Sequence, residues 1–472
     1  MTLIALVSLY VLLTLGIGVF AARRVHSTRD FALAGQQLPL FMVITTTFAT
    51  WFASETVLGV PARFMEGGLA QTMEDPYGAG LGLVLVGLFF ARRLYRLGLI
   101  TIGDFYRRRY SRGIELFASV VIMLSYLGWV AAQITAMGLV VEVLSGGALS
   151  AVQGMVLGTM LVVVYTTLGG MWSVALADLM QMIIMVVGLT VIAFLAGKLA
   201  GGPGVVLAEA GQRDLYRFLP SGGLSDWLFW LSASITLMLG TVPQQDVFQR
   251  VMAARSADAA SFGPVIGGGA YMVFAGVPMF IGVAALLVMP DAATLLADDP
   301  EQIVPSFVIG HMPLIVQALF FGALLAAIMS TASATLLAPA TTFVENILRN
   351  VVEIPERRMV VVMRGAVVGF AVAVLAYAVM MDGTSIYELV AKAYAFPVVG
   401  AFWPLLAGLY WPRASTAGAR TSIVSGMGVW ALLEFTVAGT VFPSVLGGVL
   451  AGGVGMWAGS LLWPGQSAPI DA

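Results

Sequence analysis

The 472-residue sequence has no cysteine, only two histidines and 10% charged residues. Without cysteine there is no disulfide, no thiolate metal site and no cysteine nucleophile, so the compartment has to be read from topology. An ordinary soluble domain carries about 25% charged residues, and this chain has too little charge to cover a water-facing globule of its length. The formal charge is −2, with no basic block beyond short loop clusters, which speaks against nucleic acid as a partner. HExxH, nucleophile-elbow and paired-carboxylate patterns are also missing. His26 and His311 fall outside mid-membrane positions, so the chain does not read as an enzyme.

Apolar residues make up 60% of the chain and recur in long runs from Thr2 to Trp463. This is the composition of one all-α polytopic membrane domain. Stretches of about 20 apolar residues predict thirteen spans: Thr2 to Ala22, Leu38 to Gly67, Pro76 to Leu94, Gly113 to Leu144, Ser150 to Leu168, Trp172 to Gly197, Trp227 to Val251, Phe262 to Met289, Pro313 to Val344, Met359 to Met380, Tyr387 to Trp411, Ala417 to Ala438 and Val441 to Trp463. The first lacks a basic segment before it and is long enough to span, so it reads as a membrane helix rather than a cleaved signal. The last leaves nine residues before Ala472, too few for an attached kinase or receiver.

Lys and Arg resist translocation. With the N-terminus outside and the C-terminus inside, 18 of the 23 basic residues fall on inner loops and inner span ends, and four fall outside. The expected location is the plasma (inner) membrane, crossed many times.

Two spans are interrupted. The second contains TTTFATWFASETVLGVP, where hydroxyls, Glu55, Gly59 and Pro61 break the apolar run; the seventh contains LGTVPQQD. Backbone freed from helical bonding is tolerated at membrane depth only against protein or a water-filled cavity. Interrupted helices at corresponding places in two halves are the signature of inverted-repeat transporters. The organisation that follows is an extra helix and loop over 1–37, a first repeat over 38–198, a second over 227–411, and two further helices over 412–472.

Charge inside a span costs about 2.5 to 3.5 kcal/mol per group. Away from span ends the sequence has only Glu55, Asp178, Asp246 and the pair Glu388 with Lys392, with Glu74 and Asp75 at the outer mouth of the third span. Glu388 stands four residues before Lys392, the favourable order for mutual neutralisation on a helix. Asp178 has no basic residue within two turns in LGGMWSVALADLMQ; it either caps the inner end of its span or gives charge to a cation pathway. Glu55 either pairs with an amine or bonds nearby backbone. In LLAAIMSTASATLLAPATT of the ninth span, Ala327 and Ser330/Thr331 share one face. Such hydroxyls often bond back to the helix; beside freed carbonyls they would also suit a hard monovalent cation.

Five segments in order, RDFALAGQQL, ATWFASETVLGVP, LGGMWSVALADLMQ, FQRVMAARSADAA and LAAIMSTASATLL, together resemble the sodium/solute symporter family of proline, sugar, sialic acid and choline transporters. The resemblance runs from about Arg29 to Trp411 and is nearest to the choline-transporter-like branch, which shares the shape of GLFFARRLYRLGLITIGDF. It implies a LeuT-type fold of five plus five helices and sodium-driven symport by alternating access. Carried over, sodium would be held by backbone carbonyls of Ala49, Phe52 and Ala327 and the hydroxyls of Ser330 and Thr331. A second sodium would use Asp178 and Ser333, although the family's next serine is Ala334 here.

Trp51, Glu55, Trp129, Gln133 and Gln244 would face the solute. In the choline branch, tryptophans at the positions of Trp51 and Trp129 help cage a quaternary ammonium; a third falls at Gln244 here, which points to a smaller or more polar solute. The partners implied are a small organic solute, sodium and the bilayer, with the oligomeric state left open. A choline-like amine, an amino acid and a small carboxylate all remain as solutes, and of proton and sodium coupling the hydroxyl ligands favour sodium. A channel is the alternative class, but no carbonyl-rich or charged filter segment is visible.

Overall fold

The computed structural model describes residues 2–465. Residue 1 and residues 466–472, part of the first and last segments assigned above, lie outside the described residues. Among the described residues eight helices are long and apolar enough to cross a membrane, or ten if each of two bent pairs is one span. The chain is an all-α bundle in which the described residues form no strand, only an isolated bridge between Leu38 and Ala254.

In chain order the helices that place the site are α1 (Thr2–Ala22), α2 (Leu40–Trp51), α3 (Val60–Gly67), α4 (Leu69–Arg96), α5 (Ile102–Arg109), α6 (Arg112–Ser145), α7 (Ala151–Leu199), α8 (Leu224–Gly240), α9 (Gln245–Ala253), α10 (Ala257–Val288), α11 (Leu314–Thr342), α12 (Glu356–Met380), α13 (Ile386–Gly400), α14 (Phe402–Tyr410), α15 (Thr416–Glu434) and α16 (Ser444–Leu462). A side-chain oxygen starts many of them. Ser150 with Gln153, and Thr101 with Asp104, form capping boxes that satisfy the free N–H groups of α7 and α5.

At 49 residues α7 is about twice the length a bilayer requires. Gly170, at φ 52° and ψ −142°, breaks it between the fifth and sixth expected spans. A β-carbon there would sit 2.5 Å from the Phe31 carbonyl oxygen, so both the conformation and the space call for glycine.

The interior of the bundle is built around α11, buried at nearly every position from Phe320 to Thr342, with α7, α6, α2 and α9 packed on it and α13 against α6. The peripheral α1 and α12 expose leucine and valine, as lipid-facing helices do. α15 and α16 pair through glycines: a β-carbon on Gly459 would lie 2.9 Å from the α-carbon of Gly418. Small residues let membrane helices approach this closely.

One break was not anticipated. The eleventh span, Tyr387 to Trp411, is not among the two interruptions visible in the sequence, yet α13 and α14 meet at Ala401 with a 43° bend. The Ala401 carbonyl there accepts the Tyr106 hydroxyl of α5 at 2.9 Å in addition to the Leu405 N–H at 3.2 Å. Pro397 and Pro404 flank the bend, and proline removes backbone donors and crowds the preceding turn.

Candidate functional site

The first interrupted span is broken as the sequence indicates. α2 and the helix that resumes at Glu55 are bent by 54°. Phe52 leaves the helix at φ −87°, ψ 64°. The Ala53 N–H donates to Trp51 O at 3.0 Å rather than to Ala49 O, its partner in an unbroken helix. The Ala49 carbonyl is thereby released, and the Thr331 hydroxyl of α11 lies 3.4 Å from it and 3.4 Å from the Thr50 carbonyl. The Thr56 hydroxyl covers Trp51 O at 2.7 Å.

Ser330, expected beside the same carbonyls, instead donates its hydroxyl to Asp178 Oδ1 at 2.6 Å. Asp178 Oδ2 accepts the Thr46 hydroxyl. Asp178 is thus drawn from α7 to the seam between α2 and α11, where Ser330 of the first expected sodium set bonds Asp178 of the second. Ser333 is fully buried with its hydroxyl unpartnered, and Ala327 is buried one turn before Thr331. The donor set is all oxygen, which suits a hard cation such as a monovalent metal ion rather than a soft, thiolate-seeking metal. No group of three His, Cys, Asp or Glu among the described residues could hold a metal ion.

The solute residues also converge, except one. Trp51 and Trp129 lie ring against ring at 5.0 Å, and Tyr394 of α13 packs on both at 5.4 Å. Tyr126 stacks on Trp129 at 6.0 Å. Glu55, 1% exposed, accepts the Trp129 indole N–H at 2.8 Å and the Gln133 amide at 2.7 Å, with the Ser54 hydroxyl at 3.2 Å. Every donor to Glu55 is neutral, and no ion pair found among the described residues includes it. The Trp51 Nε1 and Tyr394 hydroxyl are buried and unpartnered.

Gln244, assigned to the solute, spends its amide on Ser125: its Nε2 donates to the serine oxygen at 3.1 Å. It is the N-cap residue of α9 at the second break, where Pro243 has no N–H to offer. Two residues on, Asp246 accepts the Tyr126 hydroxyl at 2.7 Å and its backbone N–H donates back to that hydroxyl at 2.8 Å. Arg250, one turn later, pairs with Asp246 Oδ2 at 3.2 Å and donates from Nε to Thr46 O at 3.2 Å. Both members of the pair are buried.

Tyr394, Tyr126, Arg250 and Thr46 join these clusters although the sequence reading did not name them as candidates. Arg250 could have been found from its position four residues after a mid-span aspartate. The tyrosines carried no local signal.

Three other charged positions differ from expectation. Asp75, read as lying at a mouth, is 2% exposed and accepts the Tyr271 hydroxyl, which also bonds Thr56 at 2.9 Å. Glu388 and Lys392 pair at 3.4 Å as anticipated, but at the start of α13 and half exposed rather than deep in a span. Arg63 takes a second bond to Glu388 at 3.1 Å and stacks over Tyr387 at 5.3 Å.

Tyr387 lines two spaces. One is a cleft of about 450 Å³ that it shares with Arg63, Glu66, Glu142, Glu301 and Glu388. The other is a narrow gap bordered by Glu55, Glu74 and Asp75.

The model of the sodium:solute symporter family matches residues 31–426. The chain is 27% identical over 455 residues to the high-affinity choline transporter 1 of Caenorhabditis elegans, covering 90% of this chain and 76% of that one. It is 26% identical over 444 residues to the high affinity choline transporter 1 of Homo sapiens, covering 90% and 75%. Among solved structures, a Na+-coupled sialic acid symporter in a substrate-bound outward-open state superposes with a TM-score of 0.85 at 19% identity, over 100% of this chain and 99% of the other. The LeuT-type fold, the oxygen-lined break and the family match agree: the chain is a sodium-coupled solute transporter of the membrane and belongs to the sodium:solute symporter family.

Proposed function

We propose that the chain imports a small organic cation of the choline type together with sodium, by alternating access. The observation that carries this reading is Glu55, a buried carboxylate held only by neutral donors beside Trp51, Trp129 and Tyr394. A buried charge without a counter-charge is costly, and a cationic solute supplies one. The aromatic faces add cation–π attraction of about 2 kcal/mol when desolvated. Tyr394 provides the third aromatic wall that Gln244 does not.

The unpartnered Trp51 Nε1 is a donor only. It favours a solute that also carries an accepting oxygen, such as the hydroxyl of an amino alcohol. That choline transporters stand among the relatives agrees with this reading.

In the orientation we propose, thirteen spans place the N-terminus outside and the arginine-rich end in the cytoplasm. Solute enters the cleft beside Tyr387, passes the Arg63–Glu388 contact and reaches Glu55. Sodium rests between the released Ala49 carbonyl, the Phe52 and Ala327 carbonyls and the hydroxyls of Ser330 and Thr331, with Asp178 and Ser333 beside it. It holds α2 against α11, and its departure inward frees that seam.

Proteoliposomes with an inward sodium gradient test this. Choline uptake should exceed that of amino acids, sugars and carboxylates, and should show counterflow, which a pore does not. Uptake of a carboxylate in preference to choline would reverse the solute assignment.

A further inference from the structure

A continuous line of bonds joins the aromatic cluster to the ion cluster. The Tyr126 ring stacks on Trp129, and its hydroxyl both donates to and accepts from Asp246, at 2.7 and 2.8 Å. Asp246 pairs with Arg250 at 3.2 Å. The same guanidinium donates from Nε to the Thr46 carbonyl at 3.2 Å. The Thr46 hydroxyl closes the line on Asp178, which also holds Ser330. Asp246, Arg250, Thr46 and Asp178 are each no more than 2% exposed.

Neither end explains the middle. Arg250 touches no group assigned to the solute, and a guanidinium repels sodium rather than binding it. A buried pair of this kind is also a poor source of stability, because desolvating two charges offsets their attraction. What Arg250 does is hold α9 to α2 at the two broken spans, through contacts that depend on where Asp246 and Asp178 sit. With both carboxylates ionised, the two aspartates and one arginine carry one formal negative charge. A monovalent cation arriving at Asp178 removes that excess and weakens the pull of this side on Arg250, which shifts the guanidinium's balance toward Asp246 and Tyr126.

We propose that the buried Asp246–Arg250 pair is the positioning element through which sodium at Asp178 and Ser330 sets the geometry of the solute pocket at Tyr126 and Trp129. The pocket end of this assignment rests on the cationic-solute reading above, while the bond line itself does not. Allosteric coupling requires an element whose equilibrium both sites bias, and this pair contacts both sides.

The absence of cysteine makes a direct test simple. Ala391, which borders the gap beside Glu55, is changed to cysteine, and its labelling by a thiol reagent is timed with and without sodium. Choline binding is measured in parallel under both conditions. Two variants cut the line at different links, one at the aromatic end and one in the middle. Tyr126→Phe keeps the ring on Trp129 and removes the hydroxyl. Arg250→Lys keeps the charge but cannot hold Asp246 and the Thr46 carbonyl together.

We expect sodium to change the labelling rate in the parent and to raise choline affinity by a factor in the range of about 5–150 typical of coupled sites. In either variant the labelling response and the affinity gain should fall to under about 2-fold. The double variant should be no worse than either single one, since a serial link cut once is already cut. Additive losses, an undiminished sodium response in both variants, or no sodium response in the parent would each overturn the proposal. Sodium-dependent labelling that is lost in the variants, in a parent that never binds choline, would leave the relay standing and refute only the solute assignment.

Discussion

The two broken spans look alike in sequence and differ in how they satisfy charge. Each carries a carboxylate just past its break, Glu55 in one and Asp246 in the other. Glu55 receives only an indole N–H, an amide and a hydroxyl, whereas Asp246 has a guanidinium one turn away and a tyrosine across from it. A carboxylate already neutralised by the protein cannot also take its charge partner from cargo. The first break is therefore fitted to receive a cation, and the second to hold its own half of the bundle in register.

The largest expected effect breaks this contrast at Glu55. Glu55→Gln keeps the acceptor oxygen and removes the charge. Choline uptake should fall on the order of 100-fold, in keeping with the loss of one partner of a buried charge pair, while the Tm stays level or rises because a buried charge is gone. Asp246→Asn should do the opposite to stability: stranding Arg250 without its partner costs about 3–5 kcal/mol, read as a lowered Tm in detergent. If Glu55→Gln lowers the Tm as much as Asp246→Asn does, the two carboxylates are not distinguished by their partners.

Tyr394→Ala removes an aromatic wall worth about 2 kcal/mol, and choline affinity should weaken roughly 30-fold. Tyr394→Phe, which keeps the ring, should stay within about 3-fold. On the ion side, Ser330→Ala or Thr331→Ala should raise the sodium concentration for half-maximal uptake about 10-fold, the worth of one charge-assisted contact. Unchanged sodium dependence in both would take these hydroxyls out of the ion's path.

A third buried carboxylate sharpens the comparison outside the membrane, with the smallest effect. Glu301, in the segment between α10 and α11, accepts the Ile386 N–H at 2.8 Å at the start of α13. Burial first, and Asp299 second, raise its pKa from the ordinary carboxylate value to about 8. Burial in the fold favours the protonated form and outweighs the opposing pull of the Ile386 N–H, so the group's contribution to stability is complete at acid pH and is lost as pH rises through about 8. Once each rate is divided by that of a free small-molecule thiol at the same pH, which removes the thiolate's own pH dependence, a cysteine at Thr384 should be about 3-fold more accessible at pH 9 than at pH 7, and Glu301→Gln should flatten that corrected dependence.

Much of this site could be read without coordinates because its signals are local. The break at Phe52 follows from the polar run through Ser54 and Glu55 with Gly59 and Pro61 close behind, and the hydroxyl face of α11 follows from the spacing of Ala327, Ser330 and Thr331. The burial of Asp75 could not be read, since sequence places it at a mouth and only Tyr271, 196 residues away, shows that it is inside. The bend at Ala401 was hidden because an apolar run looks the same whether straight or bent.

Composition and hydropathy settled on their own that this is a helical membrane protein with two interrupted spans, because a bilayer forbids unpaired backbone and taxes every charge. Which charges are paired was decided by the tertiary structure. Asp178 has no basic neighbour along the chain, yet the fold ties it through Thr46 to Arg250, 72 residues on. Glu55 is marked in sequence by the interrupted span around it, but only the fold shows that its donors are neutral, Ser54 beside it and Trp129 and Gln133 of α6. Electrostatic energy depends on distance in space rather than along the chain, so the identity of the carboxylate left for cargo was fixed only when the helices packed.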